Sequence, residues 1–147
     1  MTSPPLPLWE LIQTSHVVAR AFRALFARHD LTPTQFGVLV SLGGGEDFTK
    51  AQLARKNLIT PQSMDPLIES LVRRGLVVRD GPPRKGRAAG LRITDRGRSK
   101  LAAAFPDVVD LNAPATIGLT AAQIGDLISQ LQRIREQITS APSRGDD

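Results

Sequence analysis

The chain has 147 residues, 41% of them hydrophobic, and a formal net charge of +5. This length and apolar fraction predict one globular domain with a core of its own. The absence of cysteine excludes disulfides, thiolate metal sites and thiol-based redox sensing. No apolar run approaches the roughly 18 residues that span a bilayer, and the first residues do not resemble a signal peptide. We therefore expect a cytoplasmic protein with no membrane partner.

Positive charge is concentrated in the middle of the chain. Residues 49–100 contain thirteen Lys or Arg against four Asp or Glu, a net charge of +9, whereas the remaining residues carry −4. A basic segment between acidic ends is typical of a protein that meets a polyanion such as DNA. A solvated arginine-rich surface has the same composition, so charge alone does not separate the two interpretations.

Threonine marks the start of four predicted helices. Three segments fit the T-x-x-Q capping box, in which the Thr oxygen and the Gln side chain satisfy each other's free amides, and Thr60-Pro61 adds a fourth cap. Helices should therefore begin near residues 33, 50, 61 and 121. The first helix, from Leu6 to His29, has an apolar stripe wide enough for two packing partners, its own core and another subunit.

Several kinds of site lack support in the sequence. The Gly43 to Gly45 run has no P-loop lysine after it and is interpreted as a connector. His16 and His29 are too far apart on one helix to chelate a metal together. There is no G-x-S-x-G elbow and no acid pair in an apolar setting. We therefore predict no metal, no cofactor and no enzymatic activity.

The segment from Thr49 reads as a helix-turn-helix. The helix over 61–74 places Met64, Leu67, Ile68, Leu71 and Val72 on one face, and in this motif the first turn of the second helix meets base edges. Gln62 can pair with adenine, and Ser63 can bond several bases. Asp65 has three alternative roles, which are accepting from cytosine N4, repelling nonspecific DNA and orienting a neighbouring arginine. Pro66 predicts a kink or a loose first turn.

A basic hairpin is predicted directly after this helix. Gly75 caps the helix, strand-like segments lie near Val77 and Ile93, and the residues between them are rich in Gly, Pro and basic side chains. At the tip, Arg84, Lys85 and Arg87 can reach the flanking minor groove or its phosphates. A loop that is basic only for solubility is the alternative. The element order predicts a mostly α fold with a small β-hairpin, a winged helix-turn-helix.

The predicted DNA contacts fall into three groups. The recognition-helix contacts are Thr60, Gln62, Ser63, Asp65 and Ser70. The DNA-backbone contacts are Lys50, Lys56 and Arg73. The wing contacts are Arg84, Lys85 and Arg87.

Five segments of the chain form a recognisable series: Leu31 to Leu39, Leu53-Ala54, Thr60 to Met64, Leu71 to Arg79 and Ile93 to Gly97. In this order they resemble the MarR family of bacterial transcriptional regulators. The resemblance implies a homodimer in which residues 1–30 and 106–147 form a helical dimerisation region and residues 31–105 form the DNA-binding lobe, within one intertwined domain. It also implies a pseudo-palindromic double-stranded DNA operator.

The resemblance further implies that a small aromatic or anionic effector binds in the crevice between the two regions and weakens DNA binding. His16 and Arg20 are candidates for lining that pocket because a carboxylate needs donors, although Arg20 is equally a dimer-surface charge. The resulting hypothesis is a ligand-responsive dimeric repressor that works by population shift. The alternative function is a winged-helix protein-binding adaptor without specific DNA recognition.

The chain departs from the family pattern at three places. The family's wing carries Asp-x-Arg, whereas this chain has Lys85-Gly86-Arg87, so the wing arginine lacks its acidic partner. Pro66 stands where a polar or basic residue is common. Phe105-Pro106 and Ala113-Pro114 interrupt the linking helix, which we expect to kink or end early.

Overall fold

The computed structural model describes residues 4–46, 48–79 and 90–141. The helices of these residues are α1 (Pro7–Ala27), α2 (Pro33–Gly43), α3 (Lys50–Lys56), α4 (Pro61–Arg73), α5 (Asp95–Leu111), α6 (Pro114–Ile117) and α7 (Ala121–Ser140). The strands are β1 (Val77–Arg79) and β2 (Leu91–Ile93), placed between α4 and α5. This mostly helical fold with one small hairpin confirms the predicted fold class.

The threonine caps form as the sequence predicts. Thr32 Oγ1 accepts from the Gln35 amide at 3.2 Å, and the Thr32 amide donates to Gln35 Oε1 at 3.0 Å. The segments beginning at Thr49 and Thr120 make the same reciprocal pair of bonds. Because each box satisfies amides that would otherwise lack partners, it fixes the residue at which the helix begins.

The end of α4 turns the chain directly into the hairpin. Gly75 has φ +69°, its amide donates to Val72 O at 2.9 Å, and the Leu76 amide donates to Leu71 O at 3.0 Å. This is a Schellman motif, and the accompanying apolar contact positions, Leu71 and Leu76, are both buried. The helix end predicted at Gly75 is confirmed.

The hairpin holds the start of α5 close to its base. β1 and β2 pair antiparallel with Val77 opposite Ile93, and Thr94 Oγ1 donates to Gly75 O at 2.6 Å. One turn into α5, a Cβ added at Gly97 would lie 2.3 Å from the carbonyl oxygen of Leu76. Only glycine therefore permits this close approach of α5 to the start of the hairpin.

The core of the helix-turn-helix is small and apolar. Its largest fully buried side chains come from α2, α3, α4 and the residue before β1: Val38, Leu39, Leu53, Met64, Leu71 and Leu76. The apolar face predicted for α4 is confirmed, since Met64, Ile68 and Leu71 are buried and Leu67 and Val72 are half-buried.

Two prolines lie inside continuous helices. Pro106 does not end α5, which continues to Leu111, so the expected early end at this residue is wrong. Pro66 lies within α4, and the kinks expected at both prolines stay predictions. A proline removes one backbone hydrogen bond, but its φ is that of a helix, so packing of the flanking turns can retain it. The interruption at Ala113-Pro114 is confirmed, since α6 begins at Pro114 after a break.

The chain forms two compact units, Met1–Asp107 and Val108–Asp147. The division into 1–30 with 106–147 and 31–105 involves a second chain and stays a prediction. None of the described helices combines the length and apolarity needed to cross a membrane.

An ionic cluster joins the end of α1 to α5. Asp107 Oδ2 lies 2.7 Å from His29 Nε2 and 3.2 Å from Arg28 Nη2. Nearby, Lys100 Nζ donates to His29 O at 3.0 Å. The hydrogen bond from His29, helped by the positive charge of Arg28, holds the pKa of Asp107 below its ordinary value. His29 lies beyond the end of α1, not on that helix as the sequence suggested.

We expect the stabilising effect of Asp107 to be lost in acid. Because its folded pKa is lowered, its contribution is present above the ordinary Asp value and disappears as the pH falls through the lowered pKa. Urea denaturation should show wild type more stable than Asp107→Asn at pH 6, with the difference shrinking below about pH 4. Asp110→Asn, an exposed acid on the same helix, is the control. A difference that stays constant down to pH 3 would contradict the ion-pair assignment.

The turn between α3 and α4 contains an unusual leucine. Leu58 has φ +56° and is 84% exposed. This left-handed backbone conformation costs a residue with a Cβ about 1 kcal/mol or more. Because the Leu58 side chain is exposed, its burial offsets little of that cost.

Leu58→Gly should therefore raise the free energy of unfolding by about 0.5–1 kcal/mol, after the entropy cost of glycine. Chemical denaturation followed by circular dichroism measures it. Leu58→Ala removes the same exposed side chain but keeps the strained backbone, so it should give no gain. An equal gain in both variants would show that backbone strain is not the cause.

Candidate nucleic-acid interface

The first turn of α4 is exposed and polar. Thr60 caps the helix by accepting from the Ser63 amide at 3.3 Å, and its hydroxyl lies 3.0 Å from the Ser63 hydroxyl. Thr60, Gln62 and Ser63 are all exposed. The cap therefore holds these three predicted contacts together on the surface, where amide and hydroxyl groups can bond base edges.

Ser70 belongs to a different side of the same helix. It is half-buried, and its hydroxyl accepts from Gln35 Nε2 at 3.4 Å. The same Gln35 accepts from Arg74 Nη1 at 3.2 Å, while Arg74 Nη2 donates to Asp30 O at 2.5 Å. This network binds the last turns of α4 to the start of α2. The structure therefore separates Ser70 from the exposed contacts of the first turn.

Both acids of α4 form ion pairs with neighbouring elements. Asp65 Oδ2 lies 2.5 Å from Lys50 Nζ at the start of α3. One turn later, Glu69 pairs with Arg79 of β1. All four side chains remain at least 44% exposed, so these pairs lie at the surface. The basic partner of Asp65 is Lys50 and not a neighbouring arginine, and the role of Asp65 toward DNA stays a prediction.

The remaining predicted backbone contacts occupy different surroundings. Lys56 lies over the Phe48 ring, with Nζ 4.7 Å from the ring centroid. Arg73 is exposed in the last turn of α4. The wing residues Arg84, Lys85 and Arg87 lie outside the described residues, although the two strands that lead to them are formed.

An apolar groove that the sequence reasoning missed lies between α2 and α5. It has a volume of about 480 Å³ and is open to solvent. Its lining residues are Val40, Gly43, Arg98, Leu101, Ala102, Phe105 and Pro106. The spacing of 98, 101, 102 and 105 on one face of a helix was the available signal. His16 and Arg20 are exposed on α1 and do not line this groove.

Within residues 4–46, 48–79 and 90–141, no three His, Asp or Glu side chains are grouped so that they could hold a metal ion. The side chains at the exposed first turns of α4 form hydrogen bonds and an ion pair.

The sequence of this chain is similar to those of known helix-turn-helix regulators, which agrees with the exposed first turn of α4. The sequence model of the MarR family matches residues 29–88. The chain is 30% identical over 98 residues to the HTH-type transcriptional regulator MhqR of Bacillus subtilis, covering 62% of this chain and 68% of MhqR. It is also 30% identical over 111 residues to the uncharacterized HTH-type transcriptional regulator YdcH of the same organism, covering 73% of this chain and 74% of YdcH.

Solved structures share the fold. The Mycobacterium tuberculosis MarR family protein Rv2887 in complex with DNA gives a TM-score of 0.69 at 26% identity, covering 90% of this chain and 98% of that one. The same protein in complex with salicylic acid gives a TM-score of 0.68 at 27% identity, covering 90% and 97%. The resemblance inferred from five sequence segments is confirmed. The chain belongs to the MarR family and is a DNA-binding transcriptional regulator.

Proposed function

We propose that this chain is a cytoplasmic, homodimeric repressor that binds a pseudo-palindromic operator and releases it when a small aromatic acid binds. The observation that carries the proposal is the exposed, capped first turn of α4, which presents Gln62 and Ser63. In a helix-turn-helix this turn enters the major groove, and two copies related by a two-fold axis read half-sites about 34 Å apart.

Contacts to the DNA backbone come from around this turn. Lys56 lies in the last turn of α3 and Arg73 in the last turn of α4, and both side chains are exposed. The predicted hairpin tip adds three more basic residues, Arg84, Lys85 and Arg87. Contacts of this kind set register and affinity, whereas Gln62 and Ser63 carry base preference. The absence of the family's wing acid makes the wing contribution mostly electrostatic.

Dimerisation is supported by apolar side chains that one chain leaves exposed. On α1, Leu8, Trp9 and Ile12 are 44%, 56% and 48% exposed. On α7, Ile128 and Ile138 are 51% and 59% exposed, and none of the described residues of that helix is buried. Apolar stripes of this size call for a partner surface. A second copy of the chain, joined through residues 1–30 and 106–147, would cover both.

The groove between α2 and α5 is the proposed effector site. Its volume suits a small ligand, its walls are mostly apolar, and Arg98, one of its lining residues, supplies a cationic donor. An aromatic ring would pack on Phe105 and Leu101 while a carboxylate pairs with Arg98. Salicylic acid, bound by the Mycobacterium tuberculosis relative, has this chemistry.

Loss of the basic tip should weaken DNA binding without changing which sequences are preferred. Selection from random DNA with the wild-type chain should first enrich a two-fold symmetric site. Replacing Arg84, Lys85 and Arg87 with Ala should then lower affinity for all sequences and flatten the salt dependence by up to about 0.9 per lost phosphate contact. Titrations at several salt concentrations measure this slope.

Gln62→Ala is the matched contrast. It should relax base preference at one position of each half-site and leave the salt slope unchanged, because it removes a base contact and no charge. If wild type enriches no sequence above background, the adaptor function replaces the repressor. An unchanged slope of the salt dependence in the triple variant would show that the tip does not contact DNA phosphates.

The groove predicts where an aromatic acid binds. Arg98→Ala should weaken salicylate binding about tenfold or more, since it removes a charge-assisted hydrogen bond. Isothermal titration calorimetry measures the affinity directly. Arg96→Ala, an exposed arginine on the same helix that does not line the groove, should bind like wild type. A loss confined to His16→Ala or Arg20→Ala would place the effector on α1.

A further inference from the structure

The first two turns of α4, which are proposed to meet base edges, have an unusual charge pattern. Among residues 61–68, its first two turns, Asp65 is the only charged side chain. An unpaired carboxylate there would repel the phosphates on either side of the groove. The Lys50 ammonium, 2.5 Å away, cancels that charge in the free protein. The pair is 44% and 62% exposed, so water screens it and it can open at little cost.

Opening the pair frees two groups of opposite chemistry. A carboxylate only accepts hydrogen bonds, and the base-edge donors in the major groove are the amino groups N4 of cytosine and N6 of adenine. Guanine and thymine present acceptors toward the helix at the corresponding position. The ammonium only donates, and phosphate oxygens are its natural partners beside the groove.

We propose that Asp65 determines operator specificity by exchanging partners. On a matching site, Asp65 leaves Lys50 and accepts from an amino group of cytosine or adenine, while Lys50 moves to a backbone phosphate. On other DNA an acceptor, guanine O6 or thymine O4, stands at that position, so Asp65 keeps Lys50 and one phosphate contact is lost. The pair thereby couples a base contact to a backbone contact. This inference rests on the proposed operator binding by α4.

The second ion pair of α4 provides an internal comparison. Glu69 lies one turn after Asp65 and pairs with Arg79 of β1, so it carries the same charge on the same exposed side of the helix. It lies beyond the first two turns that meet base edges. A purely electrostatic role for Asp65 would be shared by Glu69, whereas a role in base recognition would not.

The test compares base preference and salt dependence for wild type, Asp65→Asn and Glu69→Gln. Asp65→Asn should relax one half-site position from cytosine or adenine to all four bases, a loss of about fivefold to a hundredfold in discrimination. On unrelated DNA it should steepen the salt slope by about 0.9, because Lys50 is released to a phosphate. On the selected operator the slope should stay unchanged. Glu69→Gln should preserve the wild-type base preference.

Lys50→Ala completes the design. In the Lys50→Ala, Asp65→Asn double variant, the slope on unrelated DNA should return to the wild-type value. Unchanged base preference in Asp65→Asn, or the same relaxation in Glu69→Gln, would overturn the proposal. Failure of the proposed function is distinct, since wild type would then enrich no operator at all.

Discussion

Burial of one face of α4 decides which of its residues are exposed for the proposed contact with DNA. Met64, Ile68 and Leu71 enter the core, and the helical period then turns Gln62 and Asp65 outward. The Thr60 cap sets where the helix starts, and the Schellman turn at Gly75 sets where it ends. The caps fix the two ends of α4, and the buried face fixes its rotation about the helix axis. The first turn therefore exposes the same side chains throughout. The positions available for base contacts follow from core packing.

Much of this fold is readable from sequence because its signals are local. A Thr and a Gln three residues apart satisfy each other's amides within one turn, so Thr32 and Gln35 mark a helix start without help from the rest of the chain. The ion pair between Lys50 and Asp65 spans two helices, and the contact between His29 and Asp107 spans 78 residues. Such partners depend on how elements pack, and the same charges in sequence fit many pairings.

In the proposed interface, the residues that attract the DNA backbone differ from the residues that distinguish its bases. The first two turns of α4 hold no basic residue, and their one acid is neutralised by Lys50. Attraction to phosphate must then come from the surrounding residues, such as Lys56 and Arg73. Because backbone contacts are indifferent to sequence, this separation leaves discrimination to Gln62, Ser63 and Asp65. It also explains how a middle segment of net charge +9 can present a nearly neutral reading surface.

The short helix α2 lines the groove and also contacts the recognition helix α4. Its C-terminal half supplies Val40 and Gly43 to the groove, and Gln35 in its first turn bonds Ser70 and Arg74 at the far end of α4. In the proposed repressor, an effector that displaces one end of this eleven-residue helix would act on the hydrogen bonds at the other end. Coupling of this kind is reciprocal. In the proposed repressor, DNA that holds α4 in place must weaken effector binding by the same factor as the effector weakens DNA binding.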